Sequence, residues 1–335
     1  MSFVHYVLWC VLQNLRKEIA MSKPKVLIAH RPGPEIEAML GDAPSELDIH
    51  FLPEGEKLGD HVSDVEILYG TVGESDFPKA KALRWMQQPF VGVEWARFPA
   101  FLESDVSLVN SRVLYGPQIA EHAFALLLSI TRGIITQLDF MRHKHWEWAP
   151  TIEIAGMTMC ILGLGGIGRA VAVRAKAFDC KVIAVDKEPV EKPDTVDELG
   201  QMDSLLDFLA QTDILMVCCP ITPETHKLLS HDQFSAMPEG SYIVNVSRGK
   251  VVDEDAMIAA LDSGKLAGAG LDVTYTEPYP EDGPLWMRPN VILASHTAGG
   301  SQNIGKRAME LFIENLHNDV NGEPLVNVID KQKGY

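Results

Sequence analysis

The sequence predicts an α/β protein built from two doubly wound parallel-sheet domains, and three observations carry that expectation. The chain has 335 residues, more than the roughly 250–300 at which a single hydrophobic core usually stops growing, so two domains are expected. Short apolar runs bounded by Gly, Pro or charged residues alternate with helical patterns, which is the mark of a parallel sheet with helical crossovers. The alternation comes as two successive series, and the second opens on a glycine-rich turn between a strand and a helix.

The first series begins at Lys25 and reads KVLIAH, LDIHFLP, VEILYG and ALRWMQQ. A long helix is expected next, from about residue 119 to 140. There AEHAFALLLSITR is apolar nearly all round, so the helix should be deeply buried and serve as a boundary element. The second series reads TMCILGLG, KVIAVD, ILMVCC, SYIVNVS, GAGLDV and VILASH, six strands with helices between most of them. A last helix over 302–319 and a polar tail complete the pattern.

Ahead of this body, Val4, Val7, Leu8, Val11, Leu12, Leu15 and Ile19 follow helical spacing. Two readings stay open: an extra helix that packs or binds a partner, or an upstream extension of a body that starts at Met21. The stretch lacks the basic leading region and cleavage site of a secretory signal, and its apolar run is too short to span a bilayer.

With 46% hydrophobic residues the chain reads as an ordinary soluble globular protein, and its net charge of −17 argues against nucleic acid, since phosphate binding relies on clustered Lys and Arg. Neither a nucleic-acid nor a membrane partner is expected. The five cysteines, Cys10, Cys160, Cys180, Cys218 and Cys219, form no CxxC pair. They read as small core residues of a protein in a reducing, cytoplasmic compartment. Cys218 and Cys219 end an apolar strand without a neighbouring base, so a thiol nucleophile is not expected. No metal is expected either, because the eleven histidines lack ligand spacing: His143 and His145 are two apart, His226 and His231 five.

The strongest local signal is CILGLGGIGRA, in which Gly163, Gly165 and Gly168 have G-x-G-x-x-G spacing after an apolar strand. Gly163 permits a tight turn, Gly165 lets backbone approach a pyrophosphate, and Gly168 allows helix to pack on strand. The following helix presents its first amides to the anion. The next strand, KVIAVD, ends at Asp186, 23 residues after Gly163, where a carboxylate would accept the ribose hydroxyls. That carboxylate would repel a 2′-phosphate, so NAD is expected over NADP, although the neighbouring Lys187 tempers the repulsion.

Ligands of open α/β sheets bind beyond the carboxyl ends of the strands. Three ionisable residues sit at such ends: Arg248 in SYIVNVSRGK, Asp272 in GAGLDVTYTEP with Glu277 five residues on, and His296 in VILASHTAGGS. The set suits a 2-oxo acid. Arg248 offers a forked cation to a carboxylate and the adjacent carbonyl oxygen. His296 can exchange one proton near neutral pH, and Glu277 can hold its tautomer.

Taken together, LGLGGIGRA, CCPITPETHKLL, NVSRGKVVDEDAMIAAL, GAGLDVTYTEP and SHTAGGS resemble the NAD-dependent D-isomer-specific 2-hydroxyacid dehydrogenases, over about residues 25–328. The resemblance implies a catalytic trio of Arg248, Glu277 and His296, with His296 as proton donor and acceptor. It implies cofactor contacts at Gly166 and Ile167 by the pyrophosphate, at Asp186 by the ribose, and at Cys219, Pro220 and Thr225 along the adenosine. Val246, Ser247 and Asp272 would line the nicotinamide end. It further implies a Rossmann cofactor domain, residues 118–299, inserted into a flavodoxin-like substrate domain formed by 21–117 and 300–335, with a cleft that closes on substrate.

Homodimers joined through the cofactor domains are common in that family, and HKHWEW at 143–148 is either part of such a contact or partly buried core. The substrate carboxylate would meet backbone amides of Val91, Gly92 and Val93 in QQPFVGVEWARFP. Phe90, Trp95 and Phe98 suggest a narrowed, more apolar pocket there, less suited to formate or phosphite. Arg84 and Arg97 lie nearby without forming a cluster. Trp286 either reaches the cleft or packs on the surface. The alternative function is a dinucleotide-sensing interaction protein resembling the C-terminal-binding-protein co-repressors, which turnover would separate from an enzyme.

Overall fold

A computed structural model describes residues 23–334, so the helical pattern of the first twenty residues lies outside the described residues. The chain forms two compact units. One runs up to Ser111 and resumes at Asn303; the other is Arg112–Gln302.

The first unit holds β1 (Lys25–Ile28), β2 (Asp48–Phe51), β3 (Ile67–Tyr69), β4 (Trp85–Gln87) and β5 (Ser107–Val109) in one sheet of order β2-β1-β3-β4-β5. All four pairings are parallel. Leu27, Leu68, Met86 and Leu108 pack on one face with Phe98 and Phe101. The other face receives the helix Ile304–Asn321, whose Phe312 ring lies 4.9 Å from Tyr69 and 5.6 Å from Trp85. Buried Gln87 donates Nε2–H to the Ala308 carbonyl at 2.9 Å, and Asn315 Nδ2 donates to Gln87 Oε1 at 3.2 Å. Arg84 makes a two-pronged ion pair with Asp319, at 2.6 and 2.8 Å, which explains its presence beside the loop without any ligand.

The second unit holds β6 (Thr158–Leu162), β7 (Lys181–Asp186), β8 (Glu198–Gln201), β9 (Ile214–Val217), β10 (Ser241–Asn245), β11 (Leu266–Leu271) and β12 (Val291–Leu293). Their order is β12-β11-β10-β9-β6-β7-β8, parallel throughout. Both faces are covered, as parallel sheets require. Met159 and Ile161 pack with helices Gly116–Thr131 and Gly166–Ala177, while Cys160 and Leu162 face the opposite core. Strand order reverses between β6 and β9, and ligands of such sheets settle at that switch.

Three expectations need correction. The long helix is two helices, Gly116–Thr131 and Ile134–Arg142, because Gly133 takes φ +63° and a Cβ there would stand 2.8 Å from the Pro150 carbonyl oxygen. The two segments meet at 66°, and among the described residues no single helix is long and apolar enough to cross a membrane. Strands β5 and β8 were not expected. The first is three residues long, and the second, ELGQ, is a partly exposed edge strand without an apolar run.

Candidate active site

The glycine turn is built by backbone crowding. Gly163 has φ +95°, and a Cβ on it would lie 2.7 Å from the Cys219 Cα; a Cβ on Gly168 would lie 2.1 Å from the Gly163 carbonyl oxygen. The ends of β6 and β9 therefore touch at the switch point, and only glycine lets them. Gly165 is different, since a Cβ there would meet nothing within 4 Å. It precedes the twelve-residue helix that begins with Gly166 and Ile167, whose first amides lack intrahelical acceptors and carry the positive end of the dipole. Open space before such a terminus fits a pyrophosphate.

Asp186 closes the turn from the side. Its Oδ2 accepts the Leu164 N–H at 2.6 Å and its Oδ1 accepts the Glu188 N–H at 2.8 Å, and a carboxylate has further lone pairs for ribose hydroxyls. Lys187 Nζ stands 3.6 Å from the Glu224 carboxylate. After β9, Thr225 Oγ1 donates to the Pro220 carbonyl at 2.8 Å and accepts the Thr222 N–H at 2.7 Å, so this hydroxyl shapes the loop that follows Cys219. Burial pushes the Cys160 and Cys219 thiols up to about 12 and the Cys218 thiol further still.

The candidate catalytic groups follow three neighbouring strands, β10, β11 and β12, whose last residues pair Asn245 with Leu271 and Leu271 with Leu293. Beyond β10, buried Asn245 orders the loop: its Oδ1 accepts the Ser247 N–H at 3.0 Å and its Nδ2 donates to the Arg248 carbonyl at 3.1 Å. Val246 and Ser247 are thereby buried and Arg248 is carried past the strand end. Beyond β11, the Asp272 carboxylate, 2% exposed, accepts the Thr297 N–H at 2.8 Å and the Ala298 N–H at 3.1 Å. The Asp272 carbonyl takes the His296 N–H at 2.8 Å.

Beyond β12, His296 has φ +55°, a left-handed conformation that costs a non-glycine residue about 1–3 kcal/mol. Its Nδ1 lies 2.8 Å from Glu277 Oε2. An ionised carboxylate only accepts, so Nδ1 carries the proton of this bond and Nε2 is left for exchange with a ligand. Glu277 is itself fixed, its Oε1 accepting the Thr274 N–H at 3.1 Å. The Arg248 and Glu277 loops meet at Gly249, where a Cβ would lie 1.9 Å from the Thr274 carbonyl oxygen.

In the first unit, Val91, Gly92 and Val93 follow β4, and their amides have no partner among the described residues. The narrowed-pocket expectation is corrected in part. Phe98 is buried beside Phe77 and Phe101, and Trp95 donates its indole N–H to Gln88, so only Phe90 presents an exposed ring. Trp286 packs edge-on against Tyr279 at 5.6 Å and donates to the Pro280 carbonyl, a surface contact. Trp146 and Trp148 are largely exposed, which removes the partly buried core reading of HKHWEW.

The sequence model described as "D-isomer specific 2-hydroxyacid dehydrogenase, NAD binding domain" matches residues 124–298, over half the chain. The chain belongs to the D-isomer specific 2-hydroxyacid dehydrogenase family. Among curated members, a glyoxylate reductase of Korarchaeum cryptofilum is 32% identical over 83% of this chain and 85% of its own. A hydroxypyruvate reductase of Blautia hydrogenotrophica is 30% identical over 84% and 89%. Among solved structures, a family protein of Aeromonas salmonicida has a TM-score of 0.82 at 29% identity, covering 92% of this chain and all of its own. One of Xanthobacter autotrophicus, in complex with NADPH and MES, has a TM-score of 0.80 at 27% identity, covering 94% and all of its own.

This 2-hydroxyacid dehydrogenase contains site residues that the motifs did not single out. Asn245 is a polar residue closing an otherwise apolar strand. His122, on the apolar face of AEHAFALLL, places a buried Nε2 3.2 Å from Asp272 Oδ1, at ion-pair distance but outside hydrogen-bond geometry. Both could have been found as polar exceptions in apolar runs. Gly249→Ala should force the Arg248 and Glu277 loops apart, lowering thermal stability and reducing turnover at least tenfold, as read by calorimetry and steady-state kinetics on one preparation.

Proposed function

We propose that this enzyme reduces a small 2-oxo acid to the D-2-hydroxy acid with NADH, using His296 as acid and base. The observation that carries the reading is the His296–Glu277 pair at 2.8 Å, set on a strand end beside those bearing Arg248 and Asp272, in a sheet whose glycine turn fits a dinucleotide. A bound nicotinamide supplies the hydride. His296 Nε2–H gives its proton to the carbonyl oxygen, and Glu277 keeps Nδ1 protonated so that Nε2 faces the substrate. Arg248 steadies the oxygen as charge develops on it. Val91, Gly92 and Val93 receive the carboxylate. The names of the relatives, glyoxylate reductase and hydroxypyruvate reductase, support substrates of that size, and exposed Phe90 favours including larger analogues.

We assign NAD as the cofactor, although the solved relative of Xanthobacter autotrophicus holds NADPH. Asp186 puts a carboxylate where a 2′-phosphate would lie, and Lys187 is offset by Glu224. Gly163, Gly165 and Gly168 would hold the pyrophosphate turn, with Cys219, Pro220 and Thr225 on the adenosine side and Val246, Ser247 and Asp272 at the nicotinamide. A cytoplasmic location suits the unpaired thiols among the described residues. We assign a homodimer, because Leu138, Met141, Trp146 and Trp148 leave an apolar arm open to solvent. Neither nucleic acid nor membrane is assigned as a partner.

Purified protein should oxidise NADH with glyoxylate, hydroxypyruvate or a larger 2-oxo acid, and His296→Asn should lower kcat by about 10²–10⁴ while leaving NADH affinity unchanged. NADH binding without turnover on the whole panel would sink the enzyme reading in favour of a dinucleotide sensor. Asp186→Ala should weaken NADH binding by roughly 1.5–3 kcal/mol, the worth of charged hydrogen bonds, and narrow the gap to NADPH. In sedimentation at micromolar concentration the protein should run as a dimer and Trp146→Asp/Trp148→Asp as a monomer.

A further inference from the structure

Backbone that receives an anion must turn several N–H groups one way, and the carbonyls alternating with them must find donors on the other side. Three successive carbonyls after β4 do this. Phe90 O accepts Gln88 Nε2 at 2.9 Å, Val91 O accepts Asn110 Nδ2 at 3.0 Å, and Gly92 O accepts Gln88 Nε2 at 2.8 Å. One side-chain amide thus holds two of the three. Gln88 is fully buried, and its Oε1 accepts the Trp95 indole N–H at 2.8 Å. An indole nitrogen donates and never accepts, so the amide cannot be flipped: Nε2 must face the carbonyls.

We infer that Gln88 is a positioning residue for substrate: its amide, locked by Trp95, holds the carbonyls of Phe90 and Gly92 inward so that the amides of Val91, Gly92 and Val93 are presented to the carboxylate of the 2-oxo acid. The inference rests on the proposed function, which assigns the carboxylate to this loop. Gln88 touches neither substrate nor the reacting atoms, so its loss acts on carboxylate recognition and leaves proton transfer by His296 intact. A side chain that cannot donate strips the Gly92 carbonyl of its donor and leaves the Phe90 carbonyl only the Ser111 N–H at 3.3 Å, so the Gly92 carbonyl can turn out toward an anion it repels.

The test compares glyoxylate or hydroxypyruvate with the methyl ester of the same acid, which lacks the negative charge. Gln88→Leu should raise KM for the acid roughly 10- to 100-fold with kcat within about threefold, leave the NADH dissociation constant unchanged, and lower the acid-to-ester ratio of kcat/KM at least about tenfold. Trp95→Phe, which keeps an aromatic ring and removes the lock, should lower that ratio about 3- to 10-fold, and it decides the matter if Gln88→Leu does not fold. An unchanged ratio, or equal losses for acid and ester, overturns the role of Gln88 while wild-type turnover keeps the proposed function. Absence of wild-type turnover on the acids overturns that reading and this role together.

Discussion

One buried carboxylate fixes the geometry of the strand ends that carry His296. Asp272 has been taken out of water at the end of β11, and the amides of Thr297 and Ala298 point at its carboxylate. A hydrogen bond contributes about 0.5–1.5 kcal/mol net even without a charged partner, so two of them match the roughly 1–3 kcal/mol of a left-handed non-glycine residue. His296 can therefore occupy φ +55° at the entrance to that clamp, with its own N–H held by the Asp272 carbonyl. Just beyond the clamp, a Cβ at Gly299 would stand 3.1 Å from the Tyr115 ring.

The same device recurs with neutral amides. Gln88 follows β4 and Asn245 ends β10, and each takes up backbone groups of the loop beyond its strand, while Asn110, after β5, holds a carbonyl of the loop beyond neighbouring β4. A primary amide has donors and an acceptor without net charge, so once fully bonded it is far cheaper to bury than an ion. Rigid strands thus pass their order on to irregular loops, which is where the chemistry of an α/β protein resides.

The two parallel sheets were legible because apolar runs and crossover helices repeat through both halves, and the dinucleotide turn because each glycine has a separate mechanical reason. Arg248, Glu277 and His296 were legible as ionisable residues in strand-end positions. What escaped had no periodic signature. Gly133 breaks a helix whose apolar pattern runs straight through it, since the φ +63° of one residue leaves no mark on hydropathy. Strand β8 is defined by pairing with β7 rather than by its own residues. Gln88 and Asn245 act through side-chain bonds to nearby loop groups, and His122 through one contact with distant Asp272; none of these repeats along the chain, so pattern reading reaches them only as oddities. Phe98 shows the converse error, an aromatic near a candidate site that belongs to the core beneath it.

The first unit is stitched from both ends of the chain, and this orders its birth on the ribosome. Gln87 and Asn315, which bond to each other in its interior, are separated by 228 positions. At about 5–20 residues per second, translation leaves β4 without its covering helix for roughly 10–50 s, during which the whole of Arg112–Gln302 emerges. Throughout that interval the sheet face that carries Tyr69 and Trp85 lacks the helix bearing Phe312.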